Sequence, residues 1–135
     1  HWLYEEIIHM KDKKKFTGAI IAGVIVMIAV TAGILAYYNS DGVRLKRQLD
    51  LGNRYLAELN YEEAIVAYEA AIAIEPMRVE AYLGLADAYL GKGDYEAAAE
   101  KLQRGYELTG DESLKQKLEE EHKQNNKRDF LYHLS

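Results

Sequence analysis

The 135-residue sequence contains no cysteine and a single proline. The absence of cysteine excludes disulfide bonds, thiolate metal sites and cysteine nucleophiles. The scarcity of proline favours long helices, because proline interrupts a helix by removing a backbone donor. A third absence is local: no charged residue occurs between Phe16 and Tyr38. Together these absences predict an all-α protein with one continuous apolar segment and no thiol chemistry.

Outside the apolar segment the chain is acidic. Residues 39–135 contain 13 Lys and Arg against 19 Asp and Glu, which gives a formal charge of −6. A surface that binds nucleic acid needs basic side chains to neutralise phosphates. The composition therefore predicts that nucleic acid is not a partner.

The apolar segment, residues 16–38, has the length of a membrane-spanning helix. As a helix it extends about 35 Å, and the hydrocarbon core of a bilayer is about 30 Å thick. Phe16 at one end and Tyr37 and Tyr38 at the other are typical of the two membrane interfaces. We interpret the segment as a signal anchor. A cleaved signal peptide and a buried core helix are the alternatives.

The charges that flank the segment predict its orientation. Lys11 and Lys13–Lys15 come directly before it, whereas residues 39–42 carry no positive charge. The positive-inside rule then places residues 1–15 in the cytoplasm and the rest of the chain on the outer side of the cell membrane. Residues 1–9 precede the first methionine, and we interpret them either as appended sequence or as part of a longer chain.

Residues 45–112 contain one sequence unit twice, with a period of 34 residues. The period is shown by three matched pairs: Tyr55 and Tyr89, Tyr61 and Tyr95, Ala64 and Ala98. In the first unit, residues 45–78, the pattern comprises Leu51, Gly52, Tyr55, Tyr61, Ala64, Tyr68, Ala71 and Pro76. In the second, residues 79–112, it comprises Tyr82, Leu85, Ala86, Tyr89, Gly93, Asp94, Tyr95, Ala98, Leu102 and Gly105.

On this period and these residues, the chain resembles the tetratricopeptide repeat family, and in particular its membrane-anchored bacterial members. The resemblance implies two helix–turn–helix repeats. It also implies that small residues lie where the paired helices cross, Gly52 against Ala64 and Ala86 against Ala98. The sequence departs from the family pattern at Gln48, at Leu59 in place of the turn glycine, and at Gly110 in place of the closing proline.

Shorter segments surround the repeats. Residues 39–44 are predicted to be a linker, residues 113–124 a capping helix with an apolar stripe of Leu114 and Leu118, and residues 125–135 a flexible tail. Within the repeats, Asn60 with Glu63 has the form of a capping box, and Asp94 is placed to cap the last repeat helix.

The sequence offers no catalytic constellation, and we expect neither an enzyme, a cofactor nor a metal site. The four histidines, at positions 1, 9, 122 and 133, lack ligand spacing to one another. The run Gly91-Lys92-Gly93 lacks the spacing of a phosphate-binding loop and falls in the turn between two repeat helices. A solvated charged face accounts for the acidic run that ends at His122.

A protein-binding groove is the remaining candidate site. By resemblance, the first helix of each repeat lines a concave surface, and leucines with polar neighbours there suit a peptide or a helix from another protein. The residues expected in this groove are Lys46, Leu49, Asn53, Leu56, Glu80, Leu83, Asp87 and Leu90. The alternative is that the capping helix or another copy of the chain covers the leucines.

These patterns predict a membrane-anchored adaptor that binds another protein or peptide through the concave surface of its repeats. The second hypothesis is a structural membrane protein whose repeats drive homo-oligomerisation. It has a physical basis, since two repeats and a cap fall below the usual minimum of three for a stable repeat stack.

Overall fold

The structure, a computed structural model, describes residues 2–135, so the expectation for His1 lies outside it. The described residues form six α-helices and no β-strand, which confirms the all-α prediction. The helices are α1 (Trp2–Tyr38), α2 (Asp41–Ala57), α3 (Tyr61–Ile74), α4 (Val79–Lys92), α5 (Tyr95–Thr109) and α6 (Glu112–Leu134). The chain divides into two compact units, one ending at Ser40 and the other comprising Asp41–Ser135.

The first unit is the single helix α1. It has 37 residues, about 55 Å of helix, and its most apolar stretch has a mean hydropathy of 2.7. By length and composition it meets the requirements for crossing a membrane. None of its described residues is buried, which speaks against the alternative of a core helix. The helix begins at Trp2, so the boundary expected at residue 15 is not a helix end, because no glycine or proline interrupts residues 2–15.

In the second unit, helices that follow one another in sequence pack side by side. Helix α2 packs on α3, α3 on α4, α4 on α5 and α5 on α6, and two further contacts join α2 to α4 and α4 to α6. The expected linker is shorter than predicted, because only Asn39 and Ser40 separate α1 from α2. Asp41 belongs to the first turn of α2, where its carboxylate lies 3.3 Å from Arg44 Nη1 and favours an early helix start.

Two apolar cores hold this unit together. The first core lies among α2, α3 and α4 and includes Tyr68 and Leu85. The second lies among α4, α5 and α6 and includes Tyr82, Leu102 and Leu114. Both repeat alanines expected at helix crossings, Ala64 and Ala98, are fully buried.

The turn within each repeat follows one hydrogen-bonding scheme with different side chains. In the second repeat Gly93 adopts a left-handed φ of 82°, and the Asp94 carboxylate accepts from Ala97 N at 3.1 Å, which confirms the predicted cap. In the first repeat Leu59 takes the left-handed conformation, with a φ of 61°. The capping box expected at Asn60 does not form, because the Asn60 side chain donates to Glu58 Oε2 instead.

Helix α6 corrects the predicted end of the chain. It begins after Asp111, whose carboxylate accepts from Ser113 N at 2.9 Å, and it continues without a break to Leu134. Leu114 is fully buried and Leu118 partly so, as expected for a capping helix. Residues 125–134, expected to be a flexible tail, are helical, because polar composition does not oppose a helix that lacks glycine and proline.

Candidate protein-binding surface

The candidate surface is formed by α2 and α4, the first helices of the two repeats, which contact each other directly. Of the residues expected to line it, Lys46, Asn53 and Glu80 are exposed. The others are more enclosed, and each has a specific neighbour that explains why.

Leu49 does not belong to the exposed surface. Only 4% of it is accessible, and it lies in the first core with Tyr68 and Leu85. Leu49 follows Leu45 by one helical turn and precedes Gly52 by three residues, and these three are the buried residues of α2. The side of α2 that carries Leu49 therefore packs on α3 and α4, and the expectation that it is an open contact residue is wrong.

The remaining leucines are only partly available. Leu56 packs at the edge of the first core. Leu83 and Leu90 are partly buried and pack against the second core, which contains Leu114 of α6. This packing favours the alternative in which the capping helix covers part of the groove leucines. The surface left for a partner is consequently more polar than the sequence suggests.

One ion pair, between Lys117 and Asp87, joins the capping helix to this surface. Lys117 Nζ lies 3.1 Å from Asp87 Oδ1 and 3.7 Å from Glu121 Oε1. On the adjoining side of α6, His122 Nδ1 lies 2.7 Å from the Tyr95 hydroxyl. Asp87, an expected groove residue, is thus already paired with a lysine of the capping helix and is less available to a partner.

Tyr68 connects the core to the polar surface. Its hydroxyl donates to Asn53 Oδ1 at 2.6 Å, although the two residues are fifteen positions apart. Its ring lies against two glycines, one on each surface helix. A Cβ atom on Gly52 would come within 2.7 Å of the ring and one on Gly84 within 2.3 Å. Both distances are too short for a methyl group, so glycine is required for α2 and α4 to pack on this tyrosine.

The negative charges of the surface affect the pKa of the same tyrosine. Burial, followed by the negative charges of Asp87 and Glu80, raises the pKa of Tyr68 to about 12. The hydroxyl therefore keeps its proton at neutral pH and remains a donor to Asn53. Because one Asn53 oxygen lone pair receives that proton, the two N–H donors of the Asn53 amide are oriented away from Tyr68 and remain free for a ligand.

Sequence reasoning placed Asn53 in the groove and Tyr68 in the repeat pattern, but it missed the hydrogen bond between them. Nothing in the spacing of residues 53 and 68 marks a hydrogen bond between them. Two glycines in the middle of helices did give a signal, because glycine costs about 1 kcal/mol relative to alanine in a helix and is retained for a packing reason.

The other residues considered for chemistry have structural roles. Lys92 Nζ lies 2.5 Å from Glu62 Oε1, and Gly93 ends helix α4. Within residues 2–135, no group of three or more His, Asp or Glu side chains is arranged to hold a metal ion.

Comparisons with known proteins give one consistent result. The sequence profile described as tetratricopeptide repeat matches residues 49–113. The human protein named tetratricopeptide repeat protein 16 is 29% identical over 69 residues, which is 51% of this chain and 8% of that protein. The protein of the same name from Macaca fascicularis matches with the same identity and coverage. The chain thus spans less than a tenth of the length of these relatives.

Proposed function

Because the chain carries tetratricopeptide repeats and belongs to that family, we propose that it is a membrane-tethered adaptor that holds a peptide segment of another protein on its α2–α4 surface. Repeats of this family form surfaces for protein interaction rather than catalytic centres. The proposal narrows that general role to one surface and one mode of contact.

The observation that supports this surface most strongly is the Tyr68–Asn53 hydrogen bond. An exposed amide whose rotation is fixed by a buried hydroxyl is preorganised to pair with a peptide backbone, and a preorganised group loses less entropy on binding. Lys46 and Glu80, both exposed on the same two helices, supply one positive and one negative charge to the surface.

The partly buried groove residues lie at the edges of the proposed surface. Leu56 lies at the first repeat, and Leu83, Asp87 and Leu90 lie beside α6. A peptide would meet polar groups at the centre and short apolar stretches at the margins. We therefore expect an extended segment that hydrogen-bonds through its backbone, rather than an amphipathic helix that needs an open apolar groove.

The surface is tested by replacing the side-chain amide of Asn53 with a carboxylate. Asn53→Asp keeps an oxygen that accepts from Tyr68 but removes both N–H donors. A photo-crosslinking amino acid at Lys46 in intact cells should capture a partner, and Asn53→Asp should abolish that crosslinked band. Asn60→Asp, the same change in the turn after α2, should leave the band intact.

Two results would count against this surface. One is a crosslinked band that survives in Asn53→Asp. The other is a band lost equally in Asn60→Asp, because that residue lies outside the surface. The melting temperature of each variant is the control for folding, since exposed substitutions usually change stability by no more than about 0.5 kcal/mol.

The membrane tether is the second part of the proposal. It is supported by the apolar composition of residues 16–38 and by the lysines that precede them. On this basis we place the N-terminus in the cytoplasm and the repeats on the outer side of the cell membrane. The bacterial source stays a prediction from the sequence.

Since the chain has no cysteine, single introduced thiols can report its topology. A membrane-impermeant maleimide added to intact cells or spheroplasts should label Glu96→Cys directly. It should label Lys13→Cys only after the membrane is permeabilised. Labelling in the reverse order would contradict the orientation, and immediate labelling of both would contradict the membrane span.

A further inference from the structure

A cleft between α2 and α3 lies on a different face from the proposed peptide surface. Its volume is about 410 Å³, and its apolar lining includes Val66, which is 68% exposed. The cleft is lined by Gln48, Leu51, Tyr55, Glu62, Glu63, Val66 and Ala67. We call it the α2–α3 cleft.

The repeat period explains why this cleft is open. Leu51 in α2 corresponds to Leu85 in α4, 34 residues later. Leu85 is only 1% exposed because α3, the last helix of the preceding repeat, packs against α4. Within the unit Asp41–Ser135, α2 has no preceding repeat, and Leu51 is left partly exposed. The α2–α3 cleft is therefore a surface shaped for a helix that the repeat unit itself does not contain.

Helix α6 has an exposed apolar face that could fill such a cleft. Its domain-facing side includes Leu114, Leu118 and Glu121. At 3.6 residues per turn, a second set of side chains lies on nearly the opposite side of the helix, about 160° away. This outer stripe of α6 consists of Lys123, Lys127, Phe130, Leu131 and Leu134. Phe130, Leu131 and Leu134 are 63%, 54% and 68% exposed.

Helix α6 cannot reach the cleft of its own copy while it remains continuous. Glu121 is the last buried residue of α6, and Leu134 lies about 20 Å further along the helix axis. In the described part of the chain α6 packs on α5 and α4 and touches neither α2 nor α3. The outer stripe also faces away from the helices on which α6 packs. The α6 helix of a second copy is not subject to this limit.

The charges of the two surfaces are complementary. The α2–α3 cleft has two acidic residues at its edge and is lined by no basic one. Glu62 is already ion-paired with Lys92, so Glu63 is the carboxylate that a basic stripe would meet. The outer stripe of α6 has two basic residues, Lys123 and Lys127, followed by its apolar residues. An apolar helix end with lysines one and two turns earlier therefore fits an apolar cleft with a carboxylate edge.

From these observations we propose that the outer stripe of α6 in one copy docks into the α2–α3 cleft of a second copy, so that the chains associate head to tail. The contact takes the place of a missing neighbouring repeat. It uses faces other than the α2–α4 surface and thus goes beyond the proposed adaptor function, which does not depend on it.

The proposed contact is heterologous, so it leaves a free cleft at one end and a free stripe at the other, and further copies can add. A helix end in a short cleft buries less than the roughly 1,200 Å² typical of stable interfaces. Association should accordingly be weak in dilute solution. It becomes appreciable when copies share one membrane, because tethering raises their effective concentration.

Disulfide crosslinking of the full chain in phosphatidylcholine vesicles tests the contact. One population carries Val66→Cys in the cleft, and the other carries Leu131→Cys in the stripe. After mild oxidation, crosslinked dimers should form in the mixture and at least about fivefold less in either population alone. Asp129→Cys, exposed on another side of α6, is the matched control and should give no mixture-specific dimer with Val66→Cys. Equal yields with Leu131→Cys and Asp129→Cys would overturn the proposal.

A charge exchange tests the complementarity. Lys127→Glu in the stripe copy should lower the crosslink yield about two- to fivefold, as expected for an exposed ion pair. Glu63→Lys in the cleft copy should restore it. Lys115→Glu, which changes the net charge equally at an exposed site of α6 outside the stripe, should have no effect. Failure of Glu63→Lys to rescue Lys127→Glu would overturn the pairing.

A lipid surface is the competing occupant for an apolar and basic helix end. An environment-sensitive dye on Leu131→Cys distinguishes the two. Docking predicts a blue shift that depends on the density of the protein in neutral vesicles. A shift that appears only when phosphatidylserine is added, at any protein density and without crosslinked dimers, would overturn the proposal and assign the stripe to lipid. Neither result bears on capture of a partner at Asn53.

Discussion

The first repeat, residues 45–78, and the second, residues 79–112, share a period but have different neighbours. Leu85 in the second repeat lies in the first core and is nearly inaccessible, whereas Leu51 at the equivalent position lines an open cleft. The tyrosine of the first core, Tyr68, has Leu102 as its counterpart in the second. Equivalent positions in a repeat therefore share backbone geometry, while the adjacent helices decide how much each side chain contributes to stability.

The largest expected effect contrasts the two equivalent leucines. Leu85→Ala removes a fully buried side chain and should lower the free energy of unfolding by about 2–5 kcal/mol. Leu51→Ala should cost at least about 1 kcal/mol less, because part of that side chain is already in water. Thermal unfolding of residues 41–135, which form their own compact unit, measures both. Equal losses would mean that the α2–α3 cleft is closed.

The next effect concerns the small residue at each helix crossing, Gly52 in the first repeat and Ala86 in the second. Helix propensity alone predicts that Gly52→Ala stabilises α2 by about 1 kcal/mol. The new methyl group would overlap the Tyr68 ring, and overpacking of this kind costs about 1–3 kcal/mol. We therefore expect a net loss of stability by denaturant titration.

A double-mutant cycle identifies the cause of that loss. Tyr68→Leu gives the first repeat the residue found at the equivalent position of the second. Adding Gly52→Ala to Tyr68→Leu should then cost nothing or stabilise, because the overlap is gone. If Gly52→Ala destabilises both backgrounds equally, contact with Tyr68 is not the reason for the glycine.

The fold could be predicted from the sequence because its main signals are local and repeated. The 34-residue period, the position of Pro76 and the turn at Gly93 together locate α3, α4 and α5 closely. The apolar run that ends at Tyr38 likewise predicted a helix long enough to span a membrane.

The candidate site was less predictable because it depends on contacts between repeats. Leu49 and Leu83 occupy equivalent positions, yet Leu49 is in the first core and Leu83 lies at the edge of the second. No pattern within one repeat distinguishes them. The hydrogen bond between Tyr68 and Asn53 joins different helices and leaves no spacing signature. The extent of α6 was missed because its last ten residues were judged by polarity, which decides burial rather than helix formation.

A third prediction uses pH, because the first repeat buries a tyrosine where the second has Leu102. The pKa of Tyr68 is raised to about 12 in the folded chain, mainly by burial. The unfolded state releases this proton near pH 10. Stability from this group is complete below pH 10 and is lost as the pH rises towards 12, with a loss on the order of 1 kcal/mol by pH 11.

Tyr68→Phe isolates that contribution. At neutral pH it should cost about 1 kcal/mol, because the hydrogen bond to Asn53 is removed. Between pH 9 and pH 11 the Phe variant should lose less stability than the unmodified chain, as measured by urea titration at each pH. An identical alkaline loss in the two proteins would show that Tyr68 does not keep its proton longer in the folded state.

The smallest effect lies in the turn, where Leu59 of the first repeat occupies the position of Gly93 in the second. Leu59 N donates to Leu56 O and Asn60 N to Tyr55 O, and the equivalent atoms pair in the second repeat, from Gly93 N to Leu90 O and from Asp94 N to Tyr89 O. The left-handed conformation costs a residue with a Cβ atom about 1–2 kcal/mol, and glycine avoids this cost. Leu59→Gly should therefore stabilise residues 41–135 by about 0.5–1 kcal/mol. The gain is reduced by the greater freedom of glycine in the unfolded chain.

Leu59→Ala is the control, because it shortens the exposed side chain without relieving the left-handed backbone, and it should give no such gain. If Leu59→Ala raises the melting temperature as much as Leu59→Gly, the exposed leucine rather than the left-handed backbone is the source of the cost.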